Sequence, residues 1–335
     1  MKNKELKLRF NLQFFADYEP NATTDSGMSA EMKTFYDKQL ITLAEPELIH
    51  DQFGQKKPIP KNGGKTVEFR KYDSLEKATT PLVEGVTPKG SKMNTSTITS
   101  TVNQYGDFVA LTDMLILTAI DNNVVEANKL LGSQAGRTLD TITRDVLAGG
   151  TNVMYAGDKD SRAKLTTKDK LTVDMCFRVA AFLKAMNAPK IDGSYVALIH
   201  PYVAYDIMSS EQWLDVQKYS NVTNIFEGEI GKIAGIRFCE TSEAKIWKGT
   251  DDNTPDDNTA VFSTLVVGEG AYGVTDIEGG GLQSIIKQLG AGDDPLNQRA
   301  TSGWKATKTA ERLVEQYMVR IESCSEVYSS LVDAN

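Results

Sequence analysis

Residues 261–281 read "VFSTLVVGEGAYGVTDIEGGG", and the residues after its first three glycines decide between two kinds of protein. A Gly-x-Gly-x-x-Gly after an apolar strand, here Gly268, Gly270 and Gly273, is the fingerprint of a dinucleotide-binding turn. That turn works only when a helix starts directly after it, because the pyrophosphate rests on the helix's first amides. Here the next residues are "VTDIEGGG", β-branched and then glycine-rich, which start no helix. Asp293 and Asp294 lie at about the spacing of a ribose-binding carboxylate, but aspartate is common and the coincidence is weak. A kinase glycine loop wants valine two positions past its last glycine, where this chain has Thr275, and too little chain remains behind it for a catalytic lobe. The stretch reads as strand, turn and strand.

Other chemistry fares no better. His50 and His200 have no Cys or Asp at metal-ligand spacing, and His200, before Pro201 at a strand–helix junction, reads as a capping or packing residue. The acidic run "DDNTPDDN" at 251–258 lacks the glycine and closing glutamate of a calcium loop. No Gly-x-Ser-x-Gly, Walker or His-Glu-x-x-His motif occurs. No enzyme activity, cofactor or metal is expected.

A chain of 335 residues outgrows one efficient core, so two linked subdomains are expected. Cys176, Cys239 and Cys324 are odd in number and sit in apolar patterns, which predicts reduced, buried thiols. No run approaches the roughly 18 apolar residues of a membrane span, and "LQFFA" is too short for a signal-peptide core. The net charge of −8 speaks against a nucleic-acid glove. The charge is uneven, however: Lys2, Lys4, Lys7 and Arg9 make a basic tip on an acidic body, an arm suited to a polyanion or an acidic partner.

The segment 63–107 is the unusual one. Only 12 of its 45 residues are apolar, yet it is patterned. "KTVEFRKY" places Val67 and Phe69 on one face against Glu68 and Arg70. "TSTITSTV" places Thr95, Thr97, Thr99 and Thr101 on one face and Ser96, Ile98, Ser100 and Val102 on the other. Neither face is apolar enough for a core, and an isolated hairpin is marginal in water. Cover from outside the subunit is expected.

Further along, Asn123 and Glu126 form a capping box. Val124, Ala127, Leu131, Ala135, Leu139, Ile142 and Val146 then mark a helix over 123–149, with Asp140 and Arg144 spaced to pair. A short helix is expected at 29–44 and another at 173–187 behind Thr172. "YVALIHP" is a buried strand, and "PYVAYDIM" opens a helix with Pro201 in its first turn. "IGKIAGIRFCET" is a strand pair turning at Ala234–Gly235, and the tail closes with a strand at 317–323. Mixed elements without a βαβ rhythm argue for an α+β protein.

In order, an arm ending "LRFNLQFFA", a polar hairpin, a long helix, "VALIHPYVAYDIM", "IGKIAGIRFCET", "GEGAYGV" and "GWKA…YMVRIES" resemble the major capsid proteins of tailed phages with the Hong Kong 97-like fold. Within that group the sequence is most similar to the branch typified by the coat protein of coliphage N-four. The ordered succession, over nearly the whole chain, carries the likeness more than any single motif.

The resemblance implies an N-terminal arm (1–53), an extended β-hairpin loop (54–110), a peripheral domain (111–170 and 299–335) on the spine helix 123–149, and an axial domain (171–298). It implies self-assembly through pentamers and hexamers into an icosahedral head around double-stranded DNA. The protein would reside in the virion after assembly in the host cytoplasm, with scaffolding and portal proteins as partners and no membrane. Val67, Phe69, Arg70, Thr97, Thr99 and Thr101 are the expected inter-subunit loop residues. Lys2, Lys4, Lys7 and Arg9 are expected to face inward, toward scaffold or packaged DNA through unspecific phosphate contacts. Some relatives weld subunits through a Lys–Asn isopeptide bond. Lys71, Lys77, Lys89 and Lys92 lie in the loop, but no asparagine or catalytic glutamate matches by position, so the bond is not expected here. The alternatives are an encapsulin-type compartment shell, a different virion component, and a monomeric enzyme or binding module.

Overall fold

The computed structural model describes residues 48–72, 75–87, 90–118, 123–210, 231–249, 253–256, 258–277, 280–290 and 294–335. Lys2, Lys4, Lys7, Arg9, Lys89 and the helix expected at 29–44 lie outside the described residues. The helices are α1 (Asp113–Thr118), α2 (Asn123–Ala148), α3 (Val173–Ala185) and α4 (Pro201–Met208). The strands are β1 (Gln55–Lys56), β2 (Thr66–Tyr72), β3 (Thr95–Thr101), β4 (Asn103–Thr112), β5 (Val153–Tyr155), β6 (Tyr195–Ile199) and β7 (Lys232–Ile233). They continue with β8 (Ile236–Glu240), β9 (Ile246–Trp247), β10 (Val261–Val267), β11 (Tyr272–Thr275), β12 (Gln283–Lys287), β13 (Arg299–Arg312) and β14 (Met318–Ser323).

The expected long helix forms as α2, 26 residues or roughly 39 Å at 1.5 Å per residue. Its stripe of Leu131, Ala135 and Leu139 packs on Trp304 and Ala306 of β13. The sheet beneath runs β1–β11–β13–β12, with β4 on the other edge of β13. β4 pairs along β13 from Arg299↔Thr112 to Lys308↔Asn103, while β11 and β12 share its opposite edge end to end. Residues 103–110 thus belong to this sheet rather than to the hairpin.

The second sheet has seven strands, in the order β5–β14–β10–β6–β8–β7 with β9 beside β10. Both its faces are covered, which is why its inner strands read as unbroken apolar runs. Tyr195, Ala197, Ile199 and Val266 face Val179 and Leu183 of α3 and Val203 and Ile207 of α4. Val196, Leu198, Leu265 and Val267 face Leu147 of α2 and the segment around Phe53. The local signals hold here. The Thr172 hydroxyl accepts the Met175 N–H at 3.4 Å, and Ala234 and Gly235 turn the β7–β8 pair at φ 56° and 84°.

"GEGAYG" is the bridge between the sheets. β10 ends in the second sheet, Gly270 turns at φ +72°, and β11 begins in the first with no helix between. The return crossing runs beside it: Gly268 N–H donates to Tyr317 O at 2.8 Å, and Ala271 O accepts from Leu313 and Val314 at 2.8 and 3.0 Å. The sheets therefore cut across the boundaries expected from the sequence. β11 and β12, from 171–298, join β13, whereas β5 and β14 join β6–β10. Backbone pairing joins strands by proximity in space, and these two crossings bring distant segments together.

His200 caps α4, as its position before Pro201 suggested. Its Nδ1 accepts the Tyr202 N–H at 3.2 Å, and burial lowers its pKa from 6.5 to about 4. A base with a depressed folded pKa is protonated first in the unfolded chain, so its stabilisation is complete above about 6.5 and drains away as pH falls toward 4. The expected loss across that window is on the order of 2–3 kcal/mol. His200→Asn keeps a capping acceptor without the titration, so urea unfolding at pH 7 and pH 4.5 should show a smaller difference in the variant.

Candidate functional site: surfaces for assembly

The hairpin comes first because its sequence is least able to stand alone. β2 and β3 pair from Thr66↔Thr101 to Tyr72↔Thr95. On the face of Val67 and Phe69, the structure corrects the expectation that no cover exists within the subunit. Val67, Phe69 and Val102 are buried with Ile59, against Ile277 and Leu313. Few apolar groups suffice because Gly273 lets the Phe69 ring descend; a Cβ there would meet ring carbons at 2.6 Å. Ser100 and Thr309 share a hydroxyl hydrogen bond at 2.8 Å, which pins β3 over β13. Arg70, Thr97, Thr99 and Thr101 lie on the opposite, exposed face. Beyond the strands, Leu82, Val83, Val86 and Met93 are 63–78 % exposed.

A second uncovered surface lies on β4 and α1. Phe108, Met114 and Leu117 are 63–78 % exposed, and α1 buries none of its six residues. So short a helix draws nearly all its stability from packing, and among the described residues this one is little covered.

The body itself is tied by buried polar pairs. The His50 N–H donates to Asp140 Oδ1 at 2.8 Å, and His50 Nδ1 lies 2.6 Å from Oδ2; both side chains are fully buried. Next to it, Asp51 accepts from Thr143 Oγ1 at 2.6 Å and from Lys308, whose Nζ also donates to Leu139 O at 2.8 Å. Tyr272 O–H donates to His50 O. Its pKa is driven well up, first by burial and then by the charges of Asp51 and Asp140. The spacing of Asp140 and Arg144 predicted a pair, but Asp140 is claimed by His50, and Arg144 turns to Asp145 Oδ1 at 3.0 Å. No sequence period links residues 50 and 140, so the sequence carries no signal for this contact.

These pairs have structural roles. Among the described residues no group of three or more His, Cys, Asp and Glu gathers as a metal site. Burial pushes the Cys176 and Cys324 thiols up to about 12, far from the range of a nucleophile. His200, neutral and committed to its helix, is no free base.

A spine helix across one sheet, a second sheet whose strands alternate with it along the chain, and exposed apolar residues on the hairpin, β4 and α1 among the described residues describe a subunit with surfaces for others. The class is a shell-forming protein with the Hong Kong 97-like α+β fold. The chain belongs to the phage capsid protein family, which it matches over residues 49–287. Among solved structures it resembles the capsid of Ralstonia phage GP4, at 17 % identity and a TM-score of 0.63 over 82 % of this chain and 87 % of that one. It also resembles the capsid of cyanophage Pam1, at 14 % identity and 0.61 over 85 % and 93 %, and that of cyanophage P-SCSP1u, at 15 % and 0.60 over 82 % and 87 %. No curated protein sequence matches it significantly.

Proposed function

We propose that this phage capsid protein is the major coat subunit of the N-four-type branch, forming pentamers and hexamers that close an icosahedral head around double-stranded DNA. The observation that carries the reading is the hairpin: its base is docked on its own body, while Leu82, Val83, Val86 and Met93 toward its far end stand exposed among the described residues. With Val67 and Phe69 committed within the chain, the neighbour contacts fall to Arg70, Thr97, Thr99, Thr101 and the residues beyond them. Head-to-tail contacts of this kind close into rings, and rings into a shell. The sheet of β6–β10 is the axial part and the sheet around α2 and β13 the peripheral part. The subunit acts by binding copies of itself, with scaffolding and portal proteins as assembly partners in the host cytoplasm and no catalytic step. Lys2, Lys4, Lys7 and Arg9 face the interior, and a cross-linking map that put them on the outer surface would contradict this. With a net charge of −8, subunits repel, so moderate salt should favour assembly. The phage family match favours this reading over a cargo compartment.

Negative-stain microscopy of the expressed chain, with the neighbouring head proteins supplied, should show closed shells of even size. A stable monomer that forms no shells under these conditions would overturn the reading.

A further inference from the structure

The outer face of the first sheet carries a groove of about 620 Å³. Phe108, Gly303 and Ile285 lie abreast across β4, β13 and β12 on its floor. Gly303 keeps that floor low, since a Cβ there would meet Phe108 Cβ at 2.7 Å and Asp107 O at 2.9 Å. Lys305 flanks the row on one side and Lys287 on the other. Neither ammonium has a partner among the described residues. The one carboxylate at the groove, Asp107, is occupied by Gln134 Nε2 at 2.7 Å and the Phe108 N–H at 2.8 Å.

At the far end of the hairpin is a surface of matching chemistry. Val86 N–H closes a turn onto Val83 O at 3.1 Å, with Gly85 at φ +77°. The turn holds out Leu82, Val83 and Val86, all at least 63 % exposed, around one carboxylate, Glu84, which is unpaired among the described residues. An apolar turn with a single negative charge faces the same problem as an apolar groove with two positive charges, and each solves the other's.

We propose that the turn 82–86 of one copy seats in this groove on a second copy, Leu82, Val83 and Val86 over Phe108 and Ile285, with Glu84 between Lys287 and Lys305. The assignment rests on the shell reading above and adds the contact that sets which way neighbours face.

Two experiments on assembled full-length protein test it. In the double variant Val83→Cys/Ile285→Cys, mild oxidation of shells should give a ladder of covalent oligomers, and each single variant should give none. Of the chain's own cysteines Cys176 and Cys324 are buried, while Cys239, expected from the sequence to be buried as well, is only partly so; the wild-type chain and the two single variants, oxidised alongside, set the background. Separately, Glu84→Lys should cut the yield of particles at least tenfold, and adding Lys287→Glu/Lys305→Glu should restore it to within about threefold. Normal shells with no ladder and no charge coupling would overturn the groove assignment while leaving the shell reading intact, and would leave the groove to another protein. A wild-type chain that forms no shells would remove both.

Discussion

Replacing Glu322 by alanine should lower the unfolding free energy by about 3–5 kcal/mol, the range for breaking a buried ion pair by removing one partner. Glu322 is fully buried and is held by Arg162 in a fork, Nε at 2.7 Å and Nη2 at 2.8 Å. Arg320 Nε adds a third bond at 2.9 Å. Both guanidinium groups lie over Trp247, at 3.8 and 5.4 Å from the ring centroid. Without the carboxylate, two mostly buried cations face each other over the Trp247 ring. Burial already lowers the pKa of Arg320, against the attraction of Glu322. The damage spreads to the spine helix, because Arg320 Nη1 also donates to Ala148 O and to Gly150 O, the latter at 2.9 Å. Denaturant titration should show a lower midpoint at unchanged slope. A loss below about 1 kcal/mol, the level of solvent-exposed ion pairs in general, would mean that water solvates the cluster.

The second large effect is expected at Asp140. Alanine there strips His50 of both its acceptors in a fully buried site, at about 1–3 kcal/mol for each buried donor left unsatisfied. Its distinguishing sign is local. Amide exchange at His50 and Asp51 should rise more than in the second sheet, because Asp140 holds residues 48–53 against α2. Equal acceleration everywhere would assign the loss to global unfolding and remove the special role of this contact.

Much of this architecture is legible in the sequence because much of it is local. A hydroxyl at Thr172, a proline at 201, an Ala–Gly turn at 234–235 and a three-and-four spacing over α2 each act within a few residues. The pairs that lock the body do not: His50 with Asp140, Asp51 with Lys308, Arg162 with Glu322. Each side chain alone is an ordinary charged residue, and only the fold brings the partners together. β13 escaped for a different reason. Its buried positions include Ser302 and Lys308 beside Trp304 and Ala306, so the alternation of polarity that would announce a strand is blurred. The hairpin misled by its average composition, since Gly273 lets Phe69 descend and a cluster as small as Ile59, Val67, Phe69 and Val102 does the anchoring. The assembly surfaces were readable only as a deficit of apolar residues, which names the loop but not the groove on β4, β13 and β12.

The interleaved sheets also bear on timing. β14 leaves the ribosome after every other strand of its sheet, yet it belongs inside, between β5 and β10. A nascent chain that has made everything through β13 still has a gap in that sheet, and such long-range pairing is slow to close. The seven-stranded sheet can therefore close only once β14 has been made.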